Sequence, residues 1–160
     1  MIEVSPAVSP QELEAVGRLM LAHAVALRTH AAASEVRADA EKLPGPYRRP
    51  RGRLYLAWRE GRPIGCVALR PLGPAVAEVK RLFVLPAARG LGAGRALMSA
   101  LLDDARRLGY SRLRLGTLDD MTAAQRLYAL LGFVEIPNYQ GVGGVDDRFF
   151  ELRLGTTAPP

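Results

Sequence analysis

The chain has 160 residues, 49% of them hydrophobic and 24% charged, which is enough for one domain with its own core and too little for two. Its 22 basic residues outnumber 16 acidic ones for a net charge of +6, yet the charge is almost all arginine and is spread along the whole length. Only Lys42 and Lys80 are lysines, and no basic run is interleaved with aromatics, so small anions are the expected partners and nucleic acid is not. One cysteine, Cys66, excludes an internal disulfide, and two histidines leave no zinc set, so no metal is expected. The first residues have no basic head followed by an apolar core, and no apolar run approaches the roughly 18 residues of a membrane span. The expectation is a soluble, cytoplasmic protein with no membrane partner.

In chain order, Ile2–Val4 alternates with polar neighbours and reads as a short first strand. Ser9-Pro10-Gln11-Glu12 supplies a hydroxyl cap, a first-turn proline and an acid, opening a helix to about Ala26 whose Leu13, Val16, Met20 and Ala24 share a face. Ser34 begins a second, alanine-rich helix to about Lys42, expected on the surface and stopped by Pro44-Gly45-Pro46. From Arg53 the period changes. Arg53–Trp58 and Pro63–Leu69 are apolar runs joined by a short glycine turn, and Val76–Leu85 follows a second turn, giving three antiparallel strands. Cys66 is expected inside this sheet as a small apolar residue.

Leu97, Met98, Leu101, Leu102, Ala105 and Leu108 recur at helical spacing, and Gly109 closes that helix. Ser111–Thr117 alternates arginine with leucine, a half-buried strand parallel to the one before the helix through a right-handed crossover. Asp119-Asp120 is expected to cap a helix over Met121–Leu130. Gly132–Ile136 and Val145–Leu154 form a final pair of strands, separated by a glycine-rich loop that looks mobile. Residues 1–155 read as one domain and Thr156–Pro160 as a frayed tail.

The most informative stretch joins the third antiparallel strand to the crossover helix: Arg89-Gly90-Leu91-Gly92-Ala93-Gly94-Arg95. Three alternate glycines let the backbone curl with several N–H groups in one concavity, the helix N-terminus adds partial positive charge, and two arginines add full charges. A phosphate suits such a cradle. It is not a P-loop, since Gly94 is followed by Arg95-Ala96 rather than Lys-Ser/Thr, and its glycines do not keep the dinucleotide-binding frame. They fit Arg-x-x-Gly-x-Gly/Ala and resemble the acetyl-CoA pyrophosphate loop of the GNAT superfamily of N-acetyltransferases. The element order matches that fold over nearly the whole chain, and Leu127-Tyr128-Ala129-Leu130-Leu131-Gly132-Phe133 is similar to its closing signature.

The resemblance implies a mixed α/β fold: a mainly antiparallel sheet of about six to seven strands with a central parallel pair, flanked by about four helices. It implies acetyl-CoA as co-substrate, with main-chain groups near Leu82, Phe83 and Val84 pairing with the pantetheine arm and Arg89, Gly90, Leu91, Gly92, Ala93, Gly94 and Arg95 holding the pyrophosphate. Ala124 joins these contacts from the later helix. The implied reaction is acetyl transfer to a primary amine of a small molecule or peptide by direct attack in a ternary complex, and a homodimer is compatible with it. Tyr128 is placed as the acid for the leaving thiolate; the alternative is a tyrosine filling an apolar seam. Glu78 is placed as a base, directly or through water, or else as a polar-face residue paired with an arginine. His23 reads as packed or surface, and His30 as a loop residue. Tyr47, Arg48, Arg49 and Tyr139 are candidates for the acceptor pocket. A non-catalytic CoA-binding sensor module remains the competing class.

Overall fold

The computed structural model describes residues 1–155, so the expected tail lies outside the described residues. Seven strands form one sheet: β1 (Ile2–Pro6), β2 (Arg53–Arg59), β3 (Arg62–Pro71), β4 (Val76–Val84), β5 (Arg112–Thr117), β6 (Val134–Ile136) and β7 (Arg148–Arg153). Their order across the sheet is β1-β2-β3-β4-β5-β7-β6. Every neighbouring pair is antiparallel except β4 and β5. Four helices complete the fold: α1 (Pro10–Ala26), α2 (His30–Glu41), α3 (Ala93–Arg107) and α4 (Thr122–Leu130). The expected mixed sheet with a central parallel pair is therefore present.

Helices cover both faces of the sheet, which is why β2 and β3 read as continuous apolar runs rather than as alternating ones. Leu54, Leu56, Cys66, Ala68 and Phe83 pack under α1 and α2. Tyr55, Ala57, Val67, Leu69, Ala77 and Val79 pack under α3, against Leu97, Met98, Leu101 and Ala105. The helix α1 begins as expected, with a capping box in which the Ser9 hydroxyl accepts from the Glu12 amide and the Glu12 carboxylate accepts from the Ser9 amide.

Several strand ends shift by one or two residues, and three boundaries differ from the expectation for an identifiable reason. The second helix starts four residues before Ser34, at His30, because the Thr29 hydroxyl accepts from the Ala32 amide and caps it earlier; His30 is helical, and the face carrying Ala32, Ala33 and Val36 is buried. Asp119 and Asp120 do not cap α4, whose N-cap is Met121 without a side-chain bond. The last strand begins at Arg148 rather than Val145, since Asp147 turns to donate its amide to Thr117 O and accept from the Asp119 amide.

The central strand carries the decisive irregularity. Cys66 faces Phe83 and Ala68 faces Lys80, so β4 holds one more residue than β3 over the same span. This is a bulge at Arg81–Leu82. Arg81 takes the left-handed conformation, with φ of 61°, which costs a non-glycine residue about 1–2 kcal/mol. The cost is offset by its buried guanidinium, which donates to Asp39 at 2.8 Å while Asp39 also receives the Tyr47 hydroxyl.

Candidate active site

The parallel pairing of β4 with β5 covers only Val76–Glu78 opposite Arg112–Arg114, although β4 continues to Val84 and β5 to Thr117. Beyond Glu78 the two strands part. The gap opens into a groove of about 640 Å³ lined by Leu82, Phe83 and Val84 from β4, by the glycine loop, and by Ala124 and Leu127 from α4. Of the residues expected to hold a cofactor, Leu82, Phe83, Val84, Arg89, Gly90, Gly92, Ala93, Gly94 and Ala124 line this groove; Leu91 and Arg95 do not.

The loop has the properties of an anion cradle. Gly90 and Gly92 have φ of 80° and 88°, and a side chain at either position would meet no atom within 4 Å. Gly92 caps α3 without a side-chain bond. Among the described residues, the amides from Gly90 to Arg95 have no hydrogen-bond partner. Free first-turn amides at a helix N-terminus favour an anion. Arg89 is held beside them, its Nε donating to Val84 O at 3.0 Å and its guanidinium 5.9 Å from the Phe83 ring centre. These residues fit the phosphates of a nucleotide-like ligand without alteration.

A smaller cavity of about 60 Å³ adjoins the groove, sharing His23, Leu27, Leu82 and Met121 with it, and is closed by Gly116, Thr117, Tyr128, Val145 and Asp146. Tyr128 is buried, its ring lying 5.6 Å from that of Phe133 and 6.3 Å from that of Phe150. Burial, followed by the Asp146 charge, raises its phenol well above the usual range. Among the described residues its hydroxyl has no hydrogen-bond partner. A phenol held protonated, with its hydroxyl uncommitted, can act as an acid.

Glu78 lines neither cavity. It is 1% exposed, accepting from Arg70 Nε at 2.8 Å, from the Tyr139 hydroxyl at 2.6 Å and from Gln140 Nε2 at 3.3 Å. Burial pushes its carboxyl up, but the Tyr139 bond, Lys80 and Arg70 together outweigh it and hold the group below the usual range. Tyr139 thus reaches Glu78 rather than a pocket, and its ring packs edge-on against Phe149. The loop expected to be mobile is anchored at this end. Tyr47, Arg48 and Arg49 line neither cavity; Tyr47 is buried on Asp39.

His23, read from sequence as packed or surface, is buried where groove and cavity meet. Both ring nitrogens lack a partner among the described residues, and the ring stacks on Phe83 at 4.9 Å. Burial, then Arg81 and Arg89, lowers its pKa to about 4, so it is neutral near pH 7. Asp146 was not singled out from sequence. The signal available was Gly116, which leaves the end of β5 without a side chain.

A mixed sheet whose parallel pair parts beside a glycine-rich anion cradle defines an α/β protein with a groove suited to an anionic ligand. Residues 17–133 match the family model described as the acetyltransferase (GNAT) family, and the chain belongs to that family. It is 41% identical over 98 residues to an uncharacterized N-acetyltransferase of Schizosaccharomyces pombe, covering 58% of this chain and 60% of that one. The chain spans about three fifths or less of the first curated relatives it matches. Among solved structures, a GNAT-family acetyltransferase of Staphylococcus aureus superposes with a TM-score of 0.81 at 22% identity, covering 97% of this chain and 100% of that one. PaiA N-acetyltransferase of Thermoplasma acidophilum, solved in complex with coenzyme A, gives 0.77 at 17% identity, covering 96% and 99%.

Proposed function

We propose that the chain transfers an acetyl group from acetyl-CoA to a primary amine of a small molecule or peptide, by direct attack within a ternary complex. The observation that carries this reading is that the groove lined by Leu82–Val84 and the glycine loop, whose amides are free, adjoins the cavity lined by Tyr128 across His23, Leu27, Leu82 and Met121. The cradle takes the pyrophosphate of the donor. The edge of β4 left unpaired beyond Glu78 offers main-chain groups to the pantetheine arm, and one of its N–H groups serves the thioester oxygen as negative charge develops there. Tyr128 gives its proton to the departing thiolate. Glu78, expected as a base, supports the site from behind the cavity as a fixed carboxylate holding Tyr139 and Gln140.

Calorimetric titration with acetyl-CoA, together with thiol release across a panel of primary amines, tests the proposal. Wild-type protein binds the ligand at submillimolar concentration and Gly92→Glu, which places a carboxylate in the cradle, weakens binding at least tenfold. No binding by wild type, or undiminished binding by Gly92→Glu, removes the donor assignment. Binding without thiol release on any amine makes the chain a CoA-binding module instead.

A further inference from the structure

The cavity beside Tyr128 contains a carboxylate that the sequence reading left out. A β-carbon built on Gly116 would lie 2.4 Å from Asp146 Oδ2 and 2.8 Å from its Cγ, so the Asp146 carboxyl group occupies the space a side chain at the end of β5 would fill. Its place is fixed by the backbone next to it: the Asp147 amide donates to Thr117 O at 3.0 Å and the Asp147 carboxylate accepts from the Asp119 amide at 3.1 Å. Gln140 Nε2 then donates both to Asp146 Oδ2 at 3.0 Å and to Glu78 Oε2 at 3.3 Å. One amide therefore ties the pinned carboxylate of β4 to a second carboxylate that lines the cavity.

We infer that Asp146 receives the acceptor amine as its ammonium and takes the proton that makes the nitrogen nucleophilic, with Gln140 and Glu78 as positioning residues behind it. The inference rests on the acetyltransferase reading and names the group that reading lacks. The two carboxylates suit different tasks because their environments push them apart. Glu78 is held ionised by its donors, whereas burial raises Asp146 above the usual carboxylate range and makes it the stronger proton acceptor. The groups that face it are Lys80, Arg81 and Glu78 on β4, Glu35 on α2, His23 on α1, Tyr128 on α4 and Tyr139 in the loop.

The proton count closes. One ammonium proton passes to Asp146, which keeps it until the thiol has formed and then releases it to water, and the nitrogen lone pair forms the C–N bond. The C–S bond breaks, Tyr128 gives its proton to the thiolate, and the second proton lost from nitrogen restores the phenol through solvent. Neutralising Asp146 also removes a charge that holds the Tyr128 phenol up, so accepting the first proton prepares the acid for the second transfer.

The test compares wild type, Asp146→Asn, Asp146→Ala and the double variant Asp146→Ala with Gly116→Asp, using acetyl-CoA and the best amine of the panel. Asparagine keeps the acceptor for Gln140 and the shape. The expected result is unchanged acetyl-CoA affinity by calorimetry, a loss of about 100-fold or more in kcat/KM for the amine, and disappearance of the acidic limb of its pH profile. Moving the carboxylate to position 116 in the same volume should recover at least tenfold over Asp146→Ala. Activity of Asp146→Asn within about threefold of wild type, with its acidic limb intact, overturns the inference and leaves the acetyltransferase reading standing, as does a double variant no better than Asp146→Ala. If wild type acetylates no amine of the panel, the reading itself falls and the inference with it.

Discussion

Replacing Tyr128 by phenylalanine removes one oxygen and separates the two roles this residue can have. If the ring only fills a seam between Phe133 and Phe150, the hydroxyl contributes nothing to turnover. If it is the acid, turnover falls while the packing stays. The structure sets the stability side: the ring packs against Phe133 and Phe150, while the hydroxyl opens onto the cavity and makes no hydrogen bond among the described residues. Its removal takes away no packing and no bond, so stability should stay within about 0.5 kcal/mol of wild type. Loss of a general acid costs about 10²–10⁴ in rate, equivalent to about 2.7–5.4 kcal/mol of barrier. Thermal melting and thiol release on the same preparation read both quantities. A Tyr128→Phe protein that melts several degrees lower and turns over like wild type would refute the acid and leave only the seam.

Three further outcomes follow from the geometry. Folded His23 has its pKa lowered to about 4 from 6.5, so the unfolded chain binds the extra proton between those values; stability is full above about pH 6.5 and declines as pH falls toward 4, by about 3 kcal/mol in all. Urea titrations at several pH values should show this slope, and His23→Phe should flatten it. Asp39→Asn leaves the Arg81 guanidinium, whose side chain is 11% exposed, without its main counter-charge, and a loss of about 3 kcal/mol or more is expected from chemical denaturation; a loss under 1 kcal/mol would show that Glu35 alone suffices. Gly65→Ala sets a β-carbon 2.9 Å from Phe83 O and 3.3 Å from Leu97 Cδ1. It should cost about 1–3 kcal/mol and, by shifting β4 at Phe83, weaken acetyl-CoA binding by calorimetry; unchanged affinity would detach that stretch from the ligand.

Elements whose signal is local were legible in the sequence. The capping box at Ser9 and Glu12, the stripe from Leu97 to Ala105 and the glycines at 90 and 92 each state their structure within a few residues. What escaped depends on partners far away in the chain. Thr29 outcompeted Ser34 as the start of α2: both are hydroxyls near alanine-rich sequence, and the Thr29 cap is favoured because the earlier start buries Ala32, Ala33 and Val36. For Glu78 the sequence offered a base or the partner of an arginine; the structure shows the Arg70 pair, and its other donors, Tyr139 and Gln140, lie 61 and 62 residues on. Asp146 carried no motif at all; its relation to Gly116 exists only once β5 and β7 are paired.

The extra residue in β4 has a consequence for heredity as much as for shape. Without it, Ala77, Val79 and Phe83 would share one face by the two-residue period of a strand; with it, the first two serve the layer under α3 and Phe83 serves the layer under α1. The bulge is a phase shift written into the chain, and every residue after it is read in the new phase. Substitutions along β4 perturb single contacts, but removing one residue between Lys80 and Phe83 would exchange the facings of the whole segment that follows, up to the mouth of the glycine loop. Chain length there is as much a determinant of the site as any side chain in it.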